Sequence, residues 1–206
     1  MNKLFSRSNK KDARNQPIII VSGLPRSGTS MMMRMLADGG VPVITDELRR
    51  ADSDNPNGYF ELETVRQMSD GNVDWLAGAR GKAVKVISAL LEHLPPNYSY
   101  KIIFLERDIQ EILASQHKML ANRHEEMTAT DAEVEVQIRN HLSVMRPWLV
   151  RQPNMEVLYI NYNSLMTQPE PLCEQITEFL GLPLNQTRML AVPDADLYRN
   201  RMITKE

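Results

Sequence analysis

Between Gly23 and Ser30 the chain reads Gly-Leu-Pro-Arg-Ser-Gly-Thr-Ser, with four residues between the two glycines and a pair of hydroxyl side chains after the second. That spacing lets a loop curl until several backbone N–H groups face one concavity. A helix starting at the second glycine adds the partial positive charge of its N-terminus, so the stretch is suited to hold a polyanion without a metal. The lysine that reaches the β- and γ-phosphates of a nucleoside triphosphate is missing, and Thr29 stands in its place. Arg26 is the only cation of the loop, with Ser27, Thr29 and Ser30 as hydroxyl donors. A planar guanidinium suits one phosphate and an adjoining transferable group, gripped by two parallel hydrogen bonds.

A second group of this kind lies in KIIFLERDIQEILASQ, where Arg107 follows an apolar run and Ser115 comes eight residues later. Asp108 and Ser115 are seven apart and share a helix face, two turns from each other. The spacing predicts that the Arg107 side chain converges with the Ser115 hydroxyl on one anion, with Glu106 and Asp108 fixing its rotamer. Proton acceptors are plentiful in ITDELRRADSDNPNGYFELE, which carries Asp46, Glu47, Asp52, Asp54, Glu61 and Glu63. His93, His117, His124 and His141 are scattered and read as structural or exposed, with His93 the nearest to a site. Met31, Met32, Met33 and Met35 read as core packing.

The elements that must position these groups follow from the apolar pattern. Ile18–Val21 is a short apolar run, the mark of a strand buried on both faces. The helix after it runs from Gly28 to the Gly39-Gly40 stop. Val41–Ile44, Ala83–Ile87, Lys101–Leu105 and Val157–Ile160 read as further strands, with Thr45 to Glu63 a long loop. Asp108 caps one helix, Asp131 opens a long amphipathic one along Val134, Ile138, Met145 and Trp148, and Pro171 lies in the first turn of a last helix closed by Gly181. Strands alternating with helices predict an α/β three-layer sandwich with a central parallel sheet, and ligands at the carboxyl ends of its strands. Residues 1–16 read as a mobile basic tail and 17–206 as a single domain.

Composition narrows the partners. Basic and acidic side chains number 24 and 26, for a net charge of −2, without the basic excess of a general nucleic-acid or membrane-surface binder. A single cysteine, Cys173, excludes an intramolecular disulfide and a multi-cysteine metal site. No apolar run approaches the roughly 18 residues of a membrane-spanning helix, and MNKLFSRSNKKDARNQP lacks the apolar centre of a secretory signal. The expected location is the cytoplasm.

The pair G-x-P-R-S-G-T-S and R-D-x-x-E-x-x-x-S resembles the two nucleotide-binding motifs of sulfotransferases that use 3′-phosphoadenosine-5′-phosphosulfate (PAPS), with the loop nearest to the bacterial and protein-tyrosine branches. The resemblance runs from Ile18 to Leu182, helped by VLYINYNSL. It implies a P-loop NTPase-like sulfotransferase fold, and PAPS as donor with adenosine 3′,5′-bisphosphate (PAP) as product. Pro25, Arg26, Ser27, Gly28, Thr29 and Ser30 would then hold the 5′-phosphosulfate, and Arg107 and Ser115 the 3′-phosphate, with Tyr162 near the adenosine. Lys85, in AVKVI, matches the lysine of the family's K-x-H segment and would join Arg26 in stabilising the leaving group.

Two departures stand out. Ile87 occupies the place of the histidine that some members use as base, and the glycine-rich C-terminal segment is absent, leaving Arg199 and Arg201 to cover the 3′-phosphate. In branches that use a glutamate base, the resemblance puts it near Asp46, twenty residues past Arg26, or Glu47, with Glu61 next in line. The implied reaction is in-line displacement at sulfur by a hydroxyl or amine of a small molecule, carbohydrate, lipid or peptide, with no metal. Tyr59, Phe60, Trp75 and the surroundings of Asp52 would border the acceptor. The alternatives are a P-loop kinase, with KIIFLERD ending in a magnesium-binding acid, and a nucleotide-binding module without turnover.

Overall fold

The computed structural model describes residues 16–46, 48, 52, 55, 58–125 and 127–193. Strand β1 (Ile18–Gly23) is buried throughout and pairs in parallel with β2 (Ala83–Lys85) on one side and β3 (Tyr100–Glu106) on the other. Strand β4 (Met155–Asn161) adds in parallel to β3, giving the order β2-β1-β3-β4. The β-branched run explains the central place of β1, since every one of its side chains meets a covered face.

Alternation along β1 divides the interior into two layers. Ile18 and Ile20 join Val84, Tyr100, Ile102 and Phe104 on one face, against Met145 and Leu149 of helix α4 (Asp131–Val150). Ile19 and Val21 join Ala83, Ile103 and Leu105 on the other. That face is covered by α1 (Thr29–Asp38), through Met32, Met33 and Met35, and by α6 (Pro169–Leu180), through Cys173 and Ile176. The methionines are core, as their helical setting predicts.

The remaining helices are α2 (Glu63–Arg66), α3 (Ile109–Asn122), α5 (Tyr162–Thr167) and α7 (Gln186–Leu190). Asp108 caps α3 as expected, accepting from the N–H groups of Gln110 and Glu111. Helix α4 begins at Asp131, where the sequence places its start. Thr130 is its cap, in a reciprocal box with Glu133.

Two expected strands are corrected. Val41–Ile44 makes only one parallel bridge, Val43 to Ala83. Pro42 has no N–H to give, and its carbonyl accepts from Ala83 N at 2.8 Å, so a longer ladder cannot form there. β2 stops at Lys85, short of Ile87, which lies 40% exposed.

Strand order reverses between β1 and β3, since the chain leaves β1 toward β2 but leaves β3 toward β4. An open parallel sheet presents a crevice at that reversal, beyond the carboxyl ends of the strands. The loop Gly23–Ser30 and the turn at Arg107 are the two segments that emerge there. Replacing the cap of the long helix, Thr130→Ala, should lower stability by about 1 kcal/mol in urea unfolding while leaving the sheet intact.

Candidate functional site

The loop after β1 is shaped by three left-handed residues. Gly23 has φ 146°, and a Cβ there would stand 2.6 Å from the Leu105 carbonyl oxygen and from Ser27 Oγ. Arg26 has φ 69° and Gly28 φ 99°. A Cβ on Gly28 would strike the Tyr162 ring at 2.4 and 2.7 Å, so glycine is required there twice over, by backbone and by space. The first intrahelical bond of α1 runs from Met32 N to Gly28 O. The amides from Gly28 to Met31 therefore have no partner within the helix, and they lie at the end of α1 that could hold an anion. Ser27 Oγ is fully buried beneath the loop without a hydrogen-bond partner among the described residues.

The side chains around this loop converge. Arg26 Nε donates to Ser115 Oγ at 3.0 Å, joining the loop to helix α3 across the crevice. Arg107 turns back toward the interior instead: its Nε donates to Glu111 Oε2 at 3.0 Å and its Nη1 to the Arg26 carbonyl at 3.1 Å. Its guanidinium lies 4.3 Å from the centre of the Tyr162 ring. Glu111 Oε1 accepts from Asn163 Nδ2 at 2.8 Å. Glu106 and Asp108 do not hold Arg107. The first pairs with Arg146 and the second caps α3. Burial pushes the Tyr162 phenol up, against the opposing charges of Arg107 and Arg26.

A second cluster forms where β2 ends. Lys85 is 8% exposed, and its ammonium donates to the Tyr59 carbonyl, to Ser30 Oγ at 3.5 Å and to Glu61 Oε1 at 3.5 Å. Ser30 Oγ donates to the same carbonyl at 3.3 Å. Phe60, with φ 51°, turns the chain between that carbonyl and the Glu61 carboxylate, so that both reach Lys85. Arg66 stands 3.5 Å from Glu61 Oε2, and Tyr59 donates its hydroxyl to both oxygens of Asp52 at 2.8 Å. The structure thus brings Glu61, Lys85 and Ser30 together.

Asp46 has other duties. Its two oxygens accept from the N–H groups of Glu63 and Leu48, and these bonds, the Glu63 one first, hold its carboxyl below the usual range. Glu47, Asp54, Arg199 and Arg201 lie outside the described residues. His141 bonds Ser88 at 2.9 Å and His93 lies 4.0 Å from Glu92, so neither meets the groups above among the described contacts. Trp75 packs against the core layer that includes Ile18, and Phe60 against the one that includes Ile19.

Sequence reasoning carried Glu111 only as the glutamate of R-D-x-x-E-x-x-x-S, without a role, and passed over Asn163 and the Tyr59 carbonyl. Glu111 had a usable signal, its i,i+4 spacing from Arg107. The carbonyl had none. Among the described residues no cluster of His, Cys, Asp or Glu is placed to hold a metal, and no helix is long and apolar enough to cross a membrane.

Comparison with known proteins identifies the family and the fold. The family model described as "Sulfotransferase domain" matches residues 16–195. Among solved structures, the chain is similar to sulfotransferase STF1 from Mycobacterium tuberculosis H37Rv, at 16% identity and a TM-score of 0.54, over 88% of this chain and 72% of that one. The sulfotransferase domain of the Synechococcus PCC 7002 olefin synthase gives 17% and 0.51, over 95% and 87%. Mouse sulfotransferase SULT7A1, complexed with PAP, gives 16% and 0.51, over 88% and 63%. These likenesses concern the fold. A search of curated proteins finds no match.

Two outcomes follow from the site's construction. Gly28→Ala should cost at least about 1–2 kcal/mol for the left-handed backbone alone, read from urea unfolding, before any displacement of Tyr162. The lowered pKa of Asp46 means that its contribution to stability is present above its unfolded value of about 3.9 and lost as pH falls through the folded value. The difference in melting temperature between wild type and Asp46→Asn should therefore shrink as pH drops below about 4.

Proposed function

We propose, for a chain that belongs to the sulfotransferase-domain family, that it transfers a sulfuryl group from PAPS to a hydroxyl or amine acceptor by in-line displacement at sulfur. The observation carrying this reading is the 3.0 Å bond from Arg26 to Ser115, which joins the anion loop to the helix after β3 across the crevice. A donor with one 5′-phosphate bearing the sulfuryl group, and a separate 3′-phosphate, needs two neighbouring anion sites and no lysine in the loop. The complex of mouse SULT7A1 with PAP supports the choice of ligand. The wording of the loop supports a place near the bacterial and protein-tyrosine branches, with a P-loop-like phosphate cradle in one domain from residue 17 onward.

The residues present fit the donor. The unsatisfied amides from Gly28 to Met31, with Pro25, Ser27, Thr29 and Ser30 around them, would hold the 5′ end. Arg107 and Ser115 would face the second anion, with Tyr162 beneath the loop. PAPS, when bound, supplies the sulfuryl group. Glu61 then takes the proton of the acceptor, being the carboxylate that stands beside Lys85 and the loop. Asp46 is a poorer base, because its oxygens are already committed to two backbone amides. Lys85 and Arg26 meet the charge left on the departing phosphate oxygen. Small-molecule, carbohydrate, lipid and peptide acceptors all suit this chemistry, in a protein we assign to the cytoplasm.

Calorimetry with PAP and with ATP, each with and without EDTA, tests the donor. PAP should bind equally well in both conditions and ATP·Mg should bind more weakly. Tighter binding of ATP that depends on magnesium would point to a kinase and overturn the assignment. With an acceptor in hand, Glu61→Gln should lower kcat by about 10²–10⁴-fold while PAP affinity is kept. Unchanged turnover would remove Glu61 from the role of base.

A further inference from the structure

We propose that a cavity at the amino ends of the strands, opposite the donor crevice, binds a small monocarboxylate with an aliphatic body, held at its head by Lys101. This site lies at the other pole of the sheet, so it does not rest on the donor reading above.

The cavity has a volume of about 230 Å³ and is bounded by the segments that enter β1, β2 and β3 and by those that leave α1 and α6. Pro17, Ile19, Val41, Pro42, Leu182 and Leu184 make its apolar wall. An apolar cavity of roughly 150 Å³ takes a benzene ring, so this one has room for a body of about six to eight carbons. The surrounding backbone offers such a ligand little. Pro17, Pro42 and Pro183 have no N–H, and the carbonyls of the first two already accept from Gly81 N at 3.1 Å and from Ala83 N at 2.8 Å. A body that hydrogen-bonds along its length, such as a sugar, would leave its hydroxyls unpaired here.

Lys101 breaks this pattern, as the one charged side chain among the described residues of the lining. Its ammonium donates to the carbonyl of Phe179 at 2.6 Å and to that of Leu180 at 3.4 Å, in the last turn of α6. It also lies 5.5 Å from the centre of the Phe179 ring. These contacts fix where the ammonium stands without neutralising it. A helix C-terminus carries only about half an elementary charge, and among the described residues no carboxylate pairs with Lys101. An ammonium has three donors, of which the two carbonyls take two. The third donor and the residual charge suit a single carboxylate. A second carboxylate on the ligand would lie unpaired against the apolar wall.

Calorimetric titration of the full chain with octanoate, 1-octanol and octylamine, each below its aggregation concentration, tests the site. Wild type should bind octanoate about tenfold or more tightly than 1-octanol, as one charge-assisted hydrogen bond provides, with octylamine weakest. Lys101→Met should remove that preference, leaving octanoate and 1-octanol within about twofold of each other. Leu182→Trp, which fills the cavity and keeps the ammonium, should weaken both. Saturating PAP should leave the octanoate affinity unchanged.

The proposal is overturned if wild type binds octanoate no better than 1-octanol, or if Lys101→Met keeps the preference. Displacement of octanoate by PAP would overturn it as well, by putting the carboxylate in the anion loop. Thermal melts identify a variant that has lost its fold. Should Lys101→Met be one, Leu182→Trp decides, because octanoate binding that ignores a filled cavity lies elsewhere. Wild type that binds octanoate but not PAP would sink the donor reading and leave this site standing.

Discussion

The buried pair of Arg107 and Glu111 is the constraint on which the site depends. Two charges taken out of water beneath a loop are costly unless each finds its match, and removing one partner of such a pair typically destabilises by about 3–5 kcal/mol. That is a large share of the roughly 5–15 kcal/mol by which a domain of this kind is stable. The pair is worth its desolvation here because it terminates on the backbone of Arg26. A left-handed arginine between two left-handed glycines would otherwise relax, and the loop would lose the curvature that turns its amides toward one point. Tyr162 closes the arrangement by filling the space that Gly28 leaves open and by covering the guanidinium.

The second cluster is tied to the first through Ser30. Its hydroxyl and the Lys85 ammonium both donate to the Tyr59 carbonyl, so the segment that carries Glu61 is fastened directly to the anion loop. The carboxylate and the loop thus share one reference, the start of α1, although they come from segments more than thirty residues apart in the chain. Proton removal and leaving-group stabilisation are effective only when the groups responsible are held in register with the reacting atoms. In the proposed reaction, the common anchor at Ser30 would supply that register.

Much of this was legible in the sequence, but unevenly. The β-branched run, the glycine spacing and the Asp108 cap are local signals, and each appears where its physical reason places it. Val41–Ile44 failed as a strand because Pro42 removes a donor, a local signal that an apolar run conceals. The bond from Arg26 to Ser115 was not legible at all. Spacing shows that Arg107 and Ser115 lie on one turn-and-helix unit, but not that Arg26 reaches Ser115 from a loop bent by its own φ. Asp46 and Glu61 pose the same difficulty. They are interchangeable acids in the sequence, distinguished only by which backbone amides and which ammonium the fold sets beside them.

The missing histidine can be understood on the same terms. β2 ends at Lys85, and Ile87, which the resemblance sets against the histidine of the K-x-H segment, is turned outward and 40% exposed. A base delivered from that strand would need the strand to continue, and here it gives way to a 3₁₀ turn over Ser88–His93. The chain answers from the other direction. The segment at Tyr59–Glu61 doubles back across the end of β2 and offers a carboxylate to the same lysine. The Tyr59 carbonyl and the Glu61 carboxylate thus meet one ammonium, and the left-handed turn at Phe60 is what lets a single short segment supply both.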